Sequence, residues 1–321
     1  MIPQTSKKHT LALDFGGTKL AAGVVNIETG EISALVRKST PAEHGAQATL
    51  QTMLAAGREA VQQSGLESEI LRVGVSFGGP VSKDRTTVLH SHHVADWDGF
   101  RLTDQISQVF GLPAYMDNDA NAAALGEWYF GAGKGAENMV YIQVSTGVGA
   151  GLILNNQLYR GSALAGEFGH IIVQPGGPQC ACGRFGCVES LCSGWALARD
   201  GKAALREAPL HSPLRELCAG DPDQISAKTV FEACRQGDAQ AEAILRRAFT
   251  GLAIGITNVV CLFDPDTLVL GGGVTRSQDV LLRFLEPALQ EYLHPLSKGR
   301  FVLKFSTLNG METLLGAALL A

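Results

Sequence analysis

The stretch Leu11-Ala-Leu-Asp14-Phe15-Gly16-Gly17-Thr18-Lys19-Leu20-Ala-Ala-Gly-Val-Val-Asn26 decides the fold. Two apolar runs, Leu11 to Asp14 and Leu20 to Asn26, flank a glycine-rich turn, which predicts a hairpin at the start of an α/β unit. Gly16 and Gly17 carry no side chain, so backbone N–H groups, Thr18 and Lys19 can approach phosphate oxygens, while Asp14 is placed to hold Mg2+ through water. At this point an ordinary hairpin with a surface lysine is the competing reading. The theme then recurs: Val140 to Val144 and Gly149 to Leu154 read as strands around Ser145-Thr146-Gly147-Val148, so the chain reads as two similar halves. A third glycine run, Gly271-Gly272-Gly273, follows a strand at Thr267 to Leu270; it fits a flat ligand lying on bare backbone, or a tight strand-to-helix turn.

Working outward, the pattern predicts a helix over 49–63, a strand over 71–77 ended by Gly78-Gly79-Pro80, a helix over 101–110, a short strand over 114–116 and an Ala-rich helix over 119–130. Later come a core helix over 239–262, with Ile244, Leu245, Ala248, Leu252, Ile256 and Val259 on one stripe, a helix to about Tyr292 and a strand over 301–305. This alternation is an α/β layer architecture. With 321 residues, 45% of them hydrophobic and 18% charged, the chain is long and apolar enough for two folded domains, and disorder is excluded. A net charge of -5 supplies no cationic field, so neither nucleic acid nor a membrane surface is an expected partner. Asp14 interrupts any secretory h-region near the N-terminus, and the longest uncharged apolar run, 248–263, is shorter than a bilayer span, so a cytoplasmic location is expected.

Asn118-Asp119 opens the Ala-rich helix. Asp and Asn are favoured as N-caps, and a carboxylate fixed at a strand-to-helix junction is also placed to accept a hydroxyl proton. The segment 161–187 is too long for an ordinary connection and ends in CxCGxxGC. Cys180, Cys182 and Cys187 supply three thiolates and His170 a nitrogen, a closed tetrahedral set for a structural Zn2+. Cys192, Cys218, Cys234 and Cys261 are expected to be small core hydrophobes.

Together these pieces resemble the ROK family of sugar kinases, within the actin-like, RNase H-like ATPases. The resemblance runs nearly end to end and is carried by Val144-Ser-Thr-Gly147-Val-Gly149-Ala-Gly151, Gly161, Gly166-Glu167-Phe-Gly-His170 and the CxCGxxGCxE box from Cys180 to Glu189. It implies an α/β fold of two domains with an interdomain cleft: a smaller one over 1–118 plus about 310–321, and a larger one over 119–309 carrying the zinc loop. It further implies ATP phosphates at Asp14, Gly16, Gly17, Thr18 and Lys19 and at Thr146, Gly147 and Gly149, with adenosine near Gly271, Gly272 and Gly273. Asp119 falls at the family's general base, and Gly79, Asn118, Glu167, His170 and Glu189 at its sugar-binding positions.

The activity implied is transfer of the ATP γ-phosphate, with Mg2+, to the 6-hydroxyl of a hexose. The short His170 to Cys180 spacing is most similar to the glucokinase-type members; N-acetylglucosamine or N-acetylmannosamine kinase is the alternative, then fructokinase, with a non-catalytic sugar sensor as the reading from another class. Gly78-Gly79-Pro80 departs from the family's Pro-Gly-Pro, and His93 stands where a sugar-contacting Asn is usual; an exposed loop pair is the other reading of His92 and His93. Family repressors carry a DNA-binding helix-turn-helix ahead of the first turn, whereas thirteen residues precede Asp14, so a repressor is not expected. Relatives are commonly dimers or tetramers, and a homo-oligomer is expected here.

Overall fold

The computed structural model describes residues 7–91 and 94–321. In chain order the strands and helices are β1 (His9–Phe15), β2 (Lys19–Asn26), β3 (Ile32–Ser39), α1 (Gly45–Ser64), β4 (Ile70–Phe77), α2 (Leu102–Phe110), β5 (Ala114–Asn118) and α3 (Asp119–Tyr129). They continue with β6 (Met139–Val144), β7 (Val148–Leu154), β8 (Gln157–Tyr159), α4 (Glu189–Cys192), α5 (Gly194–Leu205), α6 (Pro213–Leu217), α7 (Ala227–Arg235), α8 (Ala239–Phe263), β9 (Thr267–Gly271), α9 (Gln278–Tyr292), β10 (Val302–Phe305) and α10 (Glu312–Leu319).

The strands form two five-stranded sheets, ordered β3-β2-β1-β4-β5 and β10-β9-β6-β7-β8. Numbered within its own sheet, each has the order 3-2-1-4-5, so the two similar halves expected from the repeated turns are two copies of one topology. In the first, β1 pairs antiparallel with β2 and parallel with β4, which in turn runs parallel to β5. The second sheet has parallel β6–β9 and β9–β10 pairs and an antiparallel β7–β8 hairpin.

Packing divides the chain into two compact units. One comprises the chain up to Ala136, Gly151–Gly166 and Ser306–Ala321; the other comprises Glu137–Ala150 and Glu167–Phe305. The boundary read from the sequence, between residues 118 and 119, lies at the β5–α3 junction inside the first unit, and Gly151–Gly166 also belongs there rather than with the loop carrying Cys180, Cys182 and Cys187.

In the first unit, Trp97 is fully buried and its ring meets Phe15, Phe77 and Phe100 at 5.9, 5.2 and 5.0 Å. Phe15 and Phe77 end β1 and β4, so this aromatic cluster fixes the two strand ends from which the glycine turns depart. The C-terminal helix α10 packs backbone to backbone: a Cβ on Gly74 of β4 would lie 1.8 Å from the Ala317 carbonyl oxygen, and one on Gly316 would lie 1.6 Å from that of Ala122 in α3. In the second unit α8 buries Ile244, Leu245, Ala248, Leu252, Ile256 and Val259, the stripe the 3.6-residue period marks. By length and composition α8 could cross a membrane, being longer than the uncharged run suggests; 61% of its most apolar window is buried inside the fold.

Candidate active site

In the first unit the β1–β2 turn is closed by the Gly16 N–H donating to the Lys19 carbonyl at 3.1 Å. A Cβ on Gly16 would lie 2.7 Å from that same oxygen, so the turn requires glycine there. Thr40 braces it from the end of β3, its hydroxyl donating to the Gly16 carbonyl at 2.7 Å and its N–H to the Thr18 carbonyl at 3.1 Å. Thr18 and Lys19 are exposed and available to an anion. The Asp14 carboxylate accepts from the Ser76 hydroxyl at 2.9 Å and the Thr313 hydroxyl at 3.1 Å. Burial pushes its pKa up, and those two hydrogen bonds pull in the opposite direction.

Asp119 arrives beside this turn by strand pairing. β5 lies next to β4, and the Gly78 N–H at the end of β4 donates to the Phe15 carbonyl at 3.0 Å. A Cβ on Gly78 would meet that carbonyl at 3.3 Å and Asp119 Oδ2 at 3.9 Å, so Gly78 separates the two with bare backbone. Asn118 is the N-cap of α3: its Oδ1 accepts from the N–H groups of Ala120 and Asn121 at 2.9 and 3.4 Å, and its Nδ2 donates to the Gly79 carbonyl at 3.2 Å. Capping therefore holds Asn118, Gly79 and Asp119 together. His93 lies outside the described residues.

The second unit repeats the construction. The Ser145 N–H donates to the Gly147 carbonyl at 2.8 Å, closing the β6–β7 turn and leaving Thr146 exposed. The glycines after β9 approach the end of β6, because Gly272 has φ +92° and a Cβ there would lie 2.3 Å from the Val144 carbonyl oxygen. Gly271, Gly272 and Gly273 thus border the turn formed by Thr146, Gly147 and Gly149. Glu189, at the start of α4, accepts from the Val148 N–H at 3.0 Å, and a Cβ on Gly147 would lie 2.8 Å from the same carboxylate oxygen.

The loop ahead of α4 gathers His170, Cys180, Cys182 and Cys187, whose ligand atoms all lie within 4.8 Å of one another. Cys182 and Cys187 sulfurs are 3.8 Å apart, and Cys180 Sγ is 3.7 Å from His170 Nδ1. A tetrahedron with zinc–sulfur bonds of about 2.3 Å and a zinc–nitrogen bond of about 2.0 Å has edges of roughly 3.5 to 3.8 Å. The donor set and its spacing fit Zn2+. Burial pushes the Cys180 thiol up to about 12. Burial also raises Cys182, but the Arg184 N–H and guanidinium, with Cys180 and Cys187, outweigh it and bring Cys182 down to about 6. His170 Nε2 points the other way, to Glu167 Oε2 at 3.7 Å, so one ring nitrogen faces the thiols and the other a carboxylate. Cys192, Cys218 and Cys234 are buried as expected, whereas Cys261 is exposed, because the α8 end around it, including Leu262, turns outward.

Sequence reasoning missed Ser76 and Thr313, which hold Asp14, and Asp117, which precedes the Asn118 cap. β4 is buried continuously over its last five residues, which include Ser76, and Thr313 sits in the first turn of α10; neither local pattern points to Asp14.

A glycine turn after the first strand, glycines after the fourth and strand order 3-2-1-4-5, all occurring twice, define the class: the actin-like, RNase H-like ATPase fold. Comparison with known proteins narrows it. The ROK family model matches residues 10–321, and the chain belongs to the ROK family. It is 32% identical over 313 residues to a glucokinase of Thermotoga maritima, covering 97% of this chain and 96% of that one. An N-acetylmannosamine kinase of Yersinia pseudotuberculosis is 36% identical over 267 residues, 82% of each chain. Among solved structures, a ROK family glucokinase from Streptomyces griseus in complex with glucose and AMPPNP superimposes with TM-score 0.83 at 36% identity, covering 97% of this chain and 98% of that one.

Proposed function

We propose that this protein is a sugar kinase that transfers the γ-phosphate of ATP to the 6-hydroxyl of a hexose, with glucose as the acceptor. The observation that carries the reading is the Asp119 carboxylate, fixed at the start of α3 with Gly78 between it and the Asp14–Lys19 turn. Proton acceptor and phosphate-binding backbone are then neighbours in one unit. Asp119 takes the proton of the 6-hydroxyl as that oxygen attacks phosphorus, and Asn118 and Gly79 orient the sugar. Gly16 closes the turn through its own N–H, so the Gly17 amide, with Thr18 and Lys19, binds phosphate oxygens, and Thr146, Gly147 and Gly149 supply the second set of donors. Gly271 to Gly273 leave room for the adenosine. Mg2+, when bound with ATP, neutralises phosphate charge, and Asp14 is the residue that would hold it through water.

Glu167, Glu189 and the Nε2 side of His170 take further sugar hydroxyls, while His170 Nδ1, Cys180, Cys182 and Cys187 hold a structural Zn2+. His170 would thereby be held by its Nδ1 side while its Nε2 side faces the sugar, so the acceptor site would be shaped by the metal ligands without the metal entering the chemistry. Glucose is favoured because glucokinases align across nearly the whole chain and the Streptomyces griseus structure holds glucose with an ATP analogue. N-acetylmannosamine is the second acceptor to test, on the 36% identity to a kinase of that name. A cytoplasmic homo-oligomer, dimer or tetramer, completes the reading.

The test is ADP release with Mg-ATP over glucose, N-acetylglucosamine, N-acetylmannosamine, mannose, fructose and allose, with Asp119→Asn as the blank. One preferred sugar, phosphorylated by the wild type and not by folded Asp119→Asn, is the expected result. Sugar binding without turnover in the wild type would instead identify a sensor.

A further inference from the structure

Asp117 is 1% exposed, yet it is a carboxylate, and it immediately precedes the proposed sugar ligand Asn118 and base Asp119. Its Oδ1 accepts from the Asn118 N–H at 2.9 Å and from Asn121 Nδ2 at 2.8 Å; its Oδ2 accepts from Arg160 Nε at 2.5 Å. One buried oxygen thus grips the chain on both sides of Asp119, at the cap before it and in the first turn of α3 after it. A buried carboxylate without a partner is costly, so the guanidinium compensates its burial and holds this grip in place.

Arg160 follows β8 directly and starts the segment that leads into Gly166-Glu167. Its own carbonyl accepts from the N–H groups of Ala163 and Ala165 at 3.0 and 3.4 Å, which folds that segment back on Arg160. The side chain therefore fixes the Asp119 junction, and the main chain fixes the start of the segment carrying Glu167 and His170.

We propose that Arg160 and Asp117 are a positioning pair for the acceptor hydroxyl: the ion pair sets the pose of Asn118 and Asp119 and anchors the segment that delivers Glu167. This rests on the kinase reading of the same site. As positioning residues they act through Asn118, Asp119 and the segment leading to Glu167, so their loss should act on the sugar half of the reaction and spare nucleotide binding.

The experiment compares wild type, Arg160→Ala, Arg160→Lys, Asp117→Asn and the double variant Asp117→Asn/Arg160→Ala, with folding checked by circular dichroism. Arg160→Ala should lower kcat by about tenfold or more and raise the sugar KM, with the ATP KM within about twofold. Added ethylguanidinium should restore part of that kcat, Arg160→Lys should retain more activity than Arg160→Ala, and the double variant should be no worse than the poorer single one. A folded Arg160→Ala with wild-type kcat and sugar KM overturns the proposal. So does a loss that ethylguanidinium leaves untouched while the two single effects simply add. If Arg160→Ala does not fold, Arg160→Lys and Asp117→Asn decide by the same split between sugar and ATP constants. A wild type that phosphorylates no sugar refutes the kinase reading alone; calorimetric glucose binding to Arg160→Ala then still tests the pair, and unchanged affinity overturns it.

Discussion

Replacing Gly316 with Ala should destabilise the protein and weaken nucleotide use together. A Cβ at this position would sit 1.6 Å from the Ala122 carbonyl oxygen and 2.9 Å from the Gly126 nitrogen, both backbone atoms of α3. Real Cβ contacts do not fall below 3.0 Å, so α10 must retreat from α3 by roughly 1.4 Å, and no flexible side chain is there to give way. Overpacking of this kind costs about 1 to 3 kcal/mol, and a backbone obstacle places the cost toward the upper end. Ala in place of Gly inside a helix returns up to about 1 kcal/mol of propensity. The net expectation is a loss of about 1 to 2 kcal/mol, measurable as a lower urea midpoint at unchanged slope. Thr313 lies on the same helix and donates to Asp14 Oδ2 at 3.1 Å, a bond that a displacement of this size breaks. The KM for Mg-ATP should then rise by on the order of tenfold, the worth of one hydrogen bond to a charged group, while the glucose KM changes less. A variant as stable as wild type would refute the close helix contact; reduced stability with an unchanged ATP KM would refute the link through Thr313.

Two further outcomes follow from the charged groups. Burial holds the Asp14 carboxyl above its ordinary value, and a carboxyl raised in the folded state gives up stability as pH rises through that value. Asp14→Asn should accordingly be more stable than wild type at pH 7.5, with the advantage vanishing as pH falls toward about 4, and should lose phosphoryl transfer; a variant less stable at neutral pH contradicts this. In metal-free protein, iodoacetamide should modify Cys182 first at pH 7.5, its rate falling as pH drops through about 6, whereas Cys180, with its thiol near 12, stays unreacted. One equivalent of Zn2+ should block that labelling, and equal labelling of Cys180 and Cys182 would count against the assigned arrangement.

The parts of the fold legible in the sequence are those whose cause is local. Glycine punctuation marks both hairpins, a 3.6-residue period marks α8, and short thiol spacing marks the cluster of His170, Cys180, Cys182 and Cys187. What stayed hidden depends on partners far away in the chain. β3 is an edge strand that buries only Ala34 and Val36, so its pattern is too weak to read before β2 is known to pair with it. α10 is only eight residues long and is held by glycines of β4 and α3 rather than by a strong stripe of its own. The same helix brings Thr313 to Asp14 across 299 positions, a pairing that no spacing argument could find. Asp117 falls just beyond the strand expected over 114–116 and the Asn118-Asp119 pair already explains the motif, whereas the structure extends β5 through Asp117 to Asn118 and buries that carboxylate. Residue type alone places Cys261 in the core, and the outward end of α8 overrides that preference.

The two units use the same backbone device with different chemistry behind it. In each, glycines after the fourth strand lie against the end of the first: the Gly78 N–H bonds the Phe15 carbonyl at 3.0 Å, and Gly272 presses on the Val144 carbonyl. Beside the first turn stands Asp14, held by the neutral hydroxyls of Ser76 and Thr313. Behind the second turn stands Glu189, whose charge is partly spent on the Val148 N–H. Its other oxygen is 3.9 Å from Cys180 Sγ, so one carboxylate spans the distance from the thiol cluster to the turn. The duplicated topology explains why two glycine turns exist. The side chains around them differ: an acid and an exposed lysine at the first, an exposed threonine and a carboxylate bonded to backbone at the second.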